Sequence, residues 1–574
     1  MLQIFFIPFL FAHLPQEMEV SAQSIVFLIG FIISIIFVVF PVSFRVKKHK
    51  IELNYAIVPI VIVVLLTVST CIPIEVFIRG ILGRYSPEWA ADPTSTSSLV
   101  PLTVIILFLS LAYVCLSADS TGLFVYIATK FANLSVKSKN SDVIGLTCFY
   151  LFAGIFTLTT SNDIVVLTLT PVILEFIAKT RSKSLLPLLL AQFSAANTFS
   201  AGLLSGNPSN FILTSVFNID FITYLKYLLL PSVISGLVVY VYSYILCASI
   251  RSKSSKHHRL MNSAEVHHEE IHVDTPSITN NSDSGKDSEK KDNSNTEGEK
   301  EASPMSMSPS GPIVFKSPEL TLNAKVSGVI LIIMFILFLL SSYFQSLWAG
   351  FEFWYIAVLV LVITLIKDLV FKWTTEPTLS IWKVVLRMPW KVPLFLFSMF
   401  ILVEGTAYYG LIYDIASFLQ QHIVQYLVDT NNLFLLLLFF IVLTCVACCI
   451  FNNLPATIVM SRILNESILY TSLGSYAQLV TYSIAAGTNF GACILPHCSL
   501  AGLMWSSMIN NKAVLKKVWK HGSFLCLLLC VTCISIQLLQ NVFYWCKYWG
   551  CEQLGSCLFI LAKQNNSKTF SQNW

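Results

Sequence analysis

Long apolar stretches alternate with short polar segments along the whole chain. Apolar runs of about 20 residues predict membrane-spanning helices, because that length crosses the hydrocarbon core of a bilayer. Such runs lie near 22–42, 54–74, 99–118, 222–248, 323–343, 352–371, 391–409 and 521–541. The pattern predicts an all-α, polytopic membrane protein.

Four further regions interrupt this pattern. The stretches 184–217 and 470–505 contain Gly, Asn and Pro within apolar sequence, and each is interpreted as one broken span. The spanning helices then number about ten. Apolar legs at 143–158 and 164–178 flank the polar segment TTSND, and 433–466 has FNNLP at its centre. Legs of roughly 15 residues are too short to cross alone, so re-entrant hairpins are predicted over 143–179 and 433–466.

Composition supports the membrane assignment. Of 574 residues, 55% are hydrophobic and 12% charged, and the mean hydropathy is +0.72, whereas soluble domains carry about 25% charge. The lipid bilayer is therefore a partner, and the absence of a basic stripe argues against nucleic acid.

The 15 cysteines lie mostly in apolar runs such as CVACC at 445–449. They are interpreted as packing residues or as a thiol site for a soft ligand. No spacing matches a zinc site, so no metal or cofactor is predicted.

The two halves of the chain contain the same three motifs in the same order. STGLFVYIATKF (120–131) is similar to YYGLIYDIASFL (408–419), TSNDI (160–164) to IFNNLP (450–455), and AANTFSAGLLSGNPSN (195–210) to GTNFGACILPHCSL (487–500). Asn162 follows Gly122 by 40 residues, and Asn453 follows Gly410 by 43. Such agreement in order and spacing indicates an internal repeat.

The distribution of Lys and Arg predicts that the repeats are inverted. Basic residues cluster between the first two spans, on both sides of the first hairpin, at 372–391 and at 512–520, whereas 410–432 has none. By the positive-inside rule, the first hairpin enters from the cytoplasm and the second from outside. The predicted regions are 1–98 (a partial N-terminal segment and two spanning helices), 99–248 (repeat 1), 249–320 (a disordered cytoplasmic loop), 321–541 (repeat 2) and 542–574 (a C-terminal tail).

Inverted repeats with broken helices are the architecture of secondary transporters, whose solute site lies at the repeat interface near the midplane. Non-helical backbone at that depth lines a cavity or is buried in protein. Asn, Ser and Thr supply donors and acceptors without a fixed charge, and Gly permits close backbone approach. The candidate substrate-binding residues are Ser161, Asn162, Asn197, Gly206, Asn207, Asn210, Asn452, Asn453, Thr488, Asn489, Gly491 and Ser499. The alternative is that these residues only satisfy kinked helices.

Acids at membrane depth are costly and usually functional. Asp163, at the tip of the first hairpin, is the first candidate for coupling to a proton or cation. Asp119 and Glu404 are further coupling candidates, although either could lie near a membrane face. His497, within the second broken helix, could titrate near neutrality or serve as a hydrogen-bonded structural residue. No catalytic residues are predicted, and an enzyme is not expected.

These motifs resemble the ion transporter superfamily, which includes arsenical pump membrane proteins and citrate and dicarboxylate carriers. SNDIVVLTLTPVILEF and NNLPATIV are similar to its two hairpins, and AANTFSAGLLSGNPSNFIL to its unwound helix. TNFGACILPHCSLAGLMW most resembles the arsenical pump version. The resemblance implies transport by alternating access. Its arsenical pump relatives expel arsenite or antimonite, some of them with a separate ATPase subunit. The chain departs from the superfamily pattern at LLSG (203–206) and PHCS (496–499), beside the expected site.

The leading functional hypothesis is a secondary transporter for arsenite or a related metalloid. Alternatives are a carrier for citrate or another organic anion, for sulfate, or coupled to sodium or protons, and, in another class, an anion channel. The expected partner is a small inorganic or anionic solute. A homodimer and a separate ATPase subunit are left open, as are the plasma membrane and a vacuolar or other internal membrane.

Overall fold

A computed structural model describes residues 22–39, 42–46, 49–53, 55–83, 101–138, 140–180, 184–269, 319–348, 351–374, 381–509 and 512–548. The predicted partial segment at the N-terminus, most of the predicted central loop (270–318) and the C-terminal tail beyond 548 lie outside these residues. Predictions about those regions are therefore untested.

In the first half of the chain, the described residues form ten helices and one short hairpin of strands. The hairpin pairs β1 (Val42–Val46) with β2 (His49–Leu53) in antiparallel register. The helices are α1 (Ala22–Val39), α2 (Ile57–Val68), α3 (Ile74–Leu82), α4 (Pro101–Ser120), α5 (Leu123–Val136), α6 (Ser141–Thr159), α7 (Asn162–Thr180), α8 (Leu185–Phe199), α9 (Pro208–Val216) and α10 (Phe221–Glu269).

The second half contains only helices among its described residues. They are α11 (Leu322–Leu339), α12 (Ser341–Leu347), α13 (Phe353–Thr374), α14 (Ile381–Arg387), α15 (Lys391–Tyr408), α16 (Leu411–Leu419), α17 (Gln425–Asp429), α18 (Leu433–Phe451), α19 (Asn453–Leu464), α20 (Ser467–Leu473), α21 (Ala477–Gly491), α22 (Leu500–Met508) and α23 (Lys512–Tyr548). A π-turn at Gln420–Val424 joins α16 to α17.

The structure confirms the all-α polytopic class. Within the described ranges, eight helical segments are long and apolar enough to cross a membrane. Their outer faces carry exposed apolar side chains, such as Leu237 on α10, Ile332 on α11 and Leu527 on α23. A water-soluble protein seldom exposes apolar surface so widely, whereas lipid is a compatible solvent. The chain is an integral, multi-pass membrane protein.

Three predictions about individual segments are wrong. The predicted span 54–74 is two helices, because the chain turns at Ser69–Pro73, where Thr70 has φ of 60°. Helix α10 continues through Glu269, so residues 249–269 of the predicted disordered loop are helical. The first legs of the two hairpins, α6 and α18, have 19 residues each. Both are long enough to cross a bilayer, contrary to the prediction of short legs.

The repeat is visible in backbone geometry. Gly122 precedes α5 with φ of 77° and Gly410 precedes α16 with φ of 78°, both in the left-handed region. Residues with a Cβ rarely adopt this conformation, and Gly adopts it without a steric penalty. The first shared motif of the sequence therefore corresponds to the same turn in both halves.

Packing places the unwound segments inside the molecule. Helix α8 packs against α6 and α10, and α21 packs against α18. Contacts also cross between the repeats, since α7 packs against α22 and α9 against α19. The second leg of each hairpin thus lies beside the short half-helix of the other repeat. The polar tips of both halves are brought to one central region.

Candidate functional site

The two broken helices are interrupted by nearly identical turns. In repeat 1, a 3₁₀ turn over Leu204–Gly206 lies between extended residues Leu203 (φ −133°, ψ 149°) and Asn207 (φ −151°, ψ 136°). In repeat 2, a 3₁₀ turn over Pro496–Cys498 lies between Leu495 (φ −138°, ψ 149°) and Ser499 (φ −143°, ψ 155°). Asn207 and Ser499 are therefore structural equivalents, although their side chains differ.

A polar side chain caps each half-helix that follows. Asn207 Oδ1 accepts from the Ser209 backbone N–H at 3.2 Å, and Ser499 Oγ accepts from the Gly502 N–H at 2.9 Å. The N-terminal backbone N–H groups of a helix lack helical partners and carry partial positive charge. Each cap therefore satisfies one backbone N–H donor of its helix. The two half-helices, α9 and α22, also have the same length of nine residues.

Gly206 is required by close packing inside the first turn. A Cβ at this position would lie 2.6 Å from the Ser200 carbonyl oxygen and 2.7 Å from Ser200 Cα. Neither backbone atom can move aside easily. Gly206 therefore lets the two ends of the interruption approach each other. Gly491 lies against α18, beside Cys445 and Cys448.

Asn489 joins the two repeats. Its Oδ1 accepts from Asn207 Nδ2 at 2.8 Å and lies 2.7 Å from Ser200 Oγ. Its Nδ2 donates to Asn210 Oδ1 and to the Ala485 carbonyl, both at 2.8 Å. An amide has two donor hydrogens and two acceptor lone pairs, so the side chain is fully satisfied within the protein. In this conformation Asn489 connects α21 to the unwound segment of repeat 1.

The remaining amides of repeat 1 are also paired internally. Asn162 Nδ2 donates to Asn197 Oδ1 at 3.1 Å, and Asn197 Nδ2 donates to the Phe193 carbonyl at 3.0 Å. Asn210 Nδ2 donates to the carbonyls of Ser200 and Leu203 at 2.7 and 2.8 Å. These residues are buried, and the Asn210 side chain satisfies two carbonyls of the unwound segment.

The tip of the second hairpin differs from that of the first. Asn452 has φ of 75° and ψ of 156°, a region that residues other than Gly seldom occupy and that costs energy. Its Nδ2 donates to the His497 carbonyl at 2.9 Å. The His497 ring is hydrogen-bonded to the Cys449 backbone. Asn453 Oδ1 and His497 Nε2 are buried without a hydrogen-bond partner among the described residues, while Thr488 Oγ1 donates to the Ala485 carbonyl at 2.9 Å.

A cavity of about 380 Å³ lies beside this network. It is bounded by the N-terminal ends of α7 and α9, by α4, and by the 386–391 segment. Of the predicted substrate and coupling residues, Ser161 and Asp163 line it. Apolar side chains such as Phe108, Leu111 and Phe211 form most of the wall. The other polar groups of the wall come from Tyr55, Ser205, Arg387 and Lys391.

Asp163 links the cavity to the other repeat. It occupies the first turn of α7, and its carboxylate accepts a hydrogen bond from the backbone of Ala501, in the first turn of α22. The N-terminal end of one helix in each repeat therefore stabilises this single carboxylate. Asp163 therefore lines the cavity and also contacts the other repeat.

The other two predicted coupling acids form ion pairs. Asp119 Oδ2 lies 2.6 Å from an Arg387 guanidinium nitrogen, and Glu404 Oε2 lies 3.1 Å from one of Arg462. Arg387 is half exposed, whereas Arg462 and Glu404 are mostly buried. Both acids join neighbouring helices in this conformation, whereas Asp163 forms no ion pair within the part of the chain that the structure describes.

Sequence reasoning missed a buried charge pair on α13. Lys367 Nζ lies 2.7 Å from Asp368 Oδ1, with both side chains at most 5% exposed. Asp368 also accepts from Tyr113 and Ser117 of α4, at 2.8 Å each, and Lys367 donates to Ser327 of α11 at 2.9 Å. In the sequence, this pair is visible as two adjacent residues of opposite charge. They lie inside an apolar run that was predicted to be an ordinary membrane-spanning helix. This network joins α4, α11 and α13.

A family model described as "Citrate transporter" matches residues 35–487. The matched region includes both hairpins, the first broken helix, the cavity-lining part of α4 and the α13 charge pair. It ends within α21, two residues before Asn489.

Proposed function

Because the chain belongs to the citrate transporter family, we propose that it is a secondary active transporter that carries a small organic anion by alternating access. The family assignment makes it a membrane transporter. The proposal for the solute rests chiefly on the cavity, where polar helix ends from repeat 1 and the 386–391 segment converge around Asp163. Its volume of about 380 Å³ lies within the range typical of small-molecule sites.

The cavity wall offers suitable partners for carboxylates. The N-terminal ends of α7 and α9 present backbone N–H groups and a positive dipole end, which favour anions. Ser161 and Ser205 add hydroxyl groups to the wall, and Lys391 and Arg387 supply positive charge. Because Asp119 already pairs with Arg387, Lys391 is the main cation for the solute.

Asp163 provides a means of coupling. An ionised carboxylate in the same cavity repels an anionic solute, and the repulsion is strong where little water is present. A proton on Asp163, or a cation between Asp163 and the solute, removes the repulsion. The anion would then bind together with the coupling ion, and both would be carried in one direction.

The contacts between repeats suggest how access alternates. Asp163 of α7 is hydrogen-bonded to α22, and α9 packs against α19. Movement of one repeat therefore changes the cavity wall formed by the other. The cavity reaches the 386–391 segment, which charge distribution predicts to be cytoplasmic. The structure is accordingly interpreted as an inward-facing conformation.

Metalloid efflux is the second candidate, since apolar side chains form most of the cavity wall and As(OH)₃ is a small neutral solute. It follows from the resemblance to arsenical pump proteins, and the family match does not extend to it. A homodimer and a separate ATPase subunit remain predictions.

Reconstitution tests the proposal directly. The purified chain is placed in liposomes, and fluxes of citrate, sulfate, sodium and arsenite are measured with and without a pH gradient. We expect a saturable citrate flux that the gradient increases. Arsenite flux without citrate flux would overturn the organic-anion proposal in favour of metalloid transport. A flux that neither saturates nor responds to the gradient would indicate a channel.

A further inference from the structure

Three cysteine side chains meet in the interior of repeat 2. Cys445 lies on α18, and Cys526 and Cys530 lie on α23, four residues apart and hence on one face of that helix. The Sγ atom of Cys445 lies 3.6 Å from that of Cys526 and 3.7 Å from that of Cys530. The Cys526 and Cys530 sulfurs are 4.0 Å apart. The three sulfurs form a nearly equilateral triangle, named here the thiol triad.

From these observations we propose that the thiol triad binds one trivalent thiophilic ion, of the class of As(III) or Sb(III). With bonds of about 2.3 Å from each sulfur to a central ion, and the pyramidal angles near 100° of a three-coordinate As(III), the sulfur–sulfur separations are roughly 3.5 Å. The observed edges of 3.6–4.0 Å need only small side-chain adjustments. The site is thus nearly formed before the ion arrives.

The buried surroundings of the thiol triad favour an ion whose complex with three thiolates has no net charge. All three cysteines are at most 5% exposed, and no His, Asp or Glu joins them in the cluster formed by the described residues. Three thiolates would leave a net charge of −2 with Cu(I) and −1 with Zn(II), and buried charge is costly. With As(III) the complex is neutral. Thiolate ligands also favour soft ions over hard ones.

The binding reaction balances without a redox partner. Three Cys S–H groups and As(OH)₃ give three As–S bonds and three water molecules. Each thiol proton leaves with a hydroxide of the arsenous acid, so no charge accumulates in the interior. The Cys445 thiol donates to the Gly487 carbonyl at 3.4 Å, and this hydrogen bond is lost when the As–S bond forms.

The triad lies outside the transport cavity, whose wall contains none of its residues. Leu527 and Val531 on the same helix are exposed, so the triad is one helix layer beneath the lipid-facing surface and a small neutral solute can reach it by local side-chain movement. A bound ion would cross-link α18 to α23. Because α21 packs against both helices, the cross-link would stabilise repeat 2.

Arsenite binding to the reduced, full-length protein in detergent tests the inference. After removal of free arsenite, bound arsenic is measured by mass spectrometry for the wild type and for Cys445→Ala, Cys526→Ala and Cys530→Ala. Each substitution should remove about one arsenic atom per chain. The matched control is Cys533→Ala, since Cys533 is buried on the same helix outside the triad. It should retain the wild-type stoichiometry.

Two measurements on the wild type keep the inference testable if a variant fails to fold. X-ray absorption at the arsenic edge should show three sulfur neighbours and no oxygen, and arsenite should raise the thermal unfolding midpoint. Equal binding by wild type and triad variants, an oxygen-containing shell, or a preference for zinc would overturn the proposal. A disulfide within the triad of the protein purified under reducing conditions would also overturn it. These outcomes are independent of citrate flux.

Discussion

The Asn489 side chain of repeat 2 donates its amide hydrogen to Asn210 Oδ1 of repeat 1 at 2.8 Å. Together with Asn207 and Ser200, which approach the same side chain, it forms a polar link between two unwound helices in an apolar interior. A buried polar network of this kind is stable only when every member is paired.

Substitution of Asn489 by Ala should therefore destabilise the protein by at least about 2 kcal/mol, because buried donors and acceptors left unpaired cost roughly 1–3 kcal/mol each. Transport should be lost as well. The thermal midpoint and citrate flux of the purified variant measure both effects. Gln421→Ala is the control, since Gln421 is an exposed amide. Wild-type stability and flux in Asn489→Ala would show that the link is dispensable.

Gly206→Ala should impair folding or transport severely, because the new methyl group would meet Ser200 backbone atoms at 2.6–2.7 Å. Gly328→Ala is a matched control. At that position the nearest atom to a new Cβ is Leu123 Cδ2 at 3.6 Å, and an interior helix Gly replaced by Ala gains about 0.5–1 kcal/mol. Yield of monodisperse protein and thermal midpoint distinguish the two. Equal behaviour of both variants would contradict the close approach at Gly206.

Neutralising one member of the Lys367–Asp368 pair should be more damaging than neutralising both. Lys367→Met or Asp368→Asn alone leaves an uncompensated buried charge, which costs about 3–5 kcal/mol. The double variant removes both charges and should recover much of the stability. Thermal midpoints of the wild type and the three variants form the required cycle. Additive losses would show that the two side chains do not stabilise each other.

Asp163→Asn should uncouple citrate transport from the ion that drives it. The amide cannot ionise, so the variant mimics the protonated carboxyl at every pH. We expect citrate exchange to persist while stimulation by a pH gradient disappears. Glu175→Gln is the control on the same helix, because Glu175 is exposed and pairs with Lys179 one turn further along α7. Retained gradient stimulation in Asp163→Asn would exclude proton coupling through this residue.

The predicted inversion of the repeats has its own test. Single cysteines introduced at Ser138 and in the 270–318 segment should show the same sidedness towards a membrane-impermeant maleimide, with both in the cytoplasm. Labelling of intact cells and of permeabilised cells supplies the comparison. Opposite sidedness of the two positions would rule out the predicted topology.

The sequence by itself determined the membrane class, most helix positions and the repeat. These properties depend on local physics: the length of an apolar run, the positions of Gly, Pro and Asn, and the recurrence of motifs. The shared left-handed conformation of Gly122 and Gly410 agrees with that repeat. Local patterns misjudged 54–74 and the first hairpin legs, because a turn such as Ser69–Pro73 or an extra helical turn depends on packing.

Only the tertiary structure decided which polar groups meet. Asn489 and Asn210 are 279 residues apart, and no local pattern specifies that their amides pair with each other while Asp163 faces a cavity. The same holds for Cys445 and Cys530, and for the Lys367–Asp368 pair with Tyr113 and Ser117. Burial in an apolar interior makes an unpaired polar group costly, and the fold determines which partner is within reach.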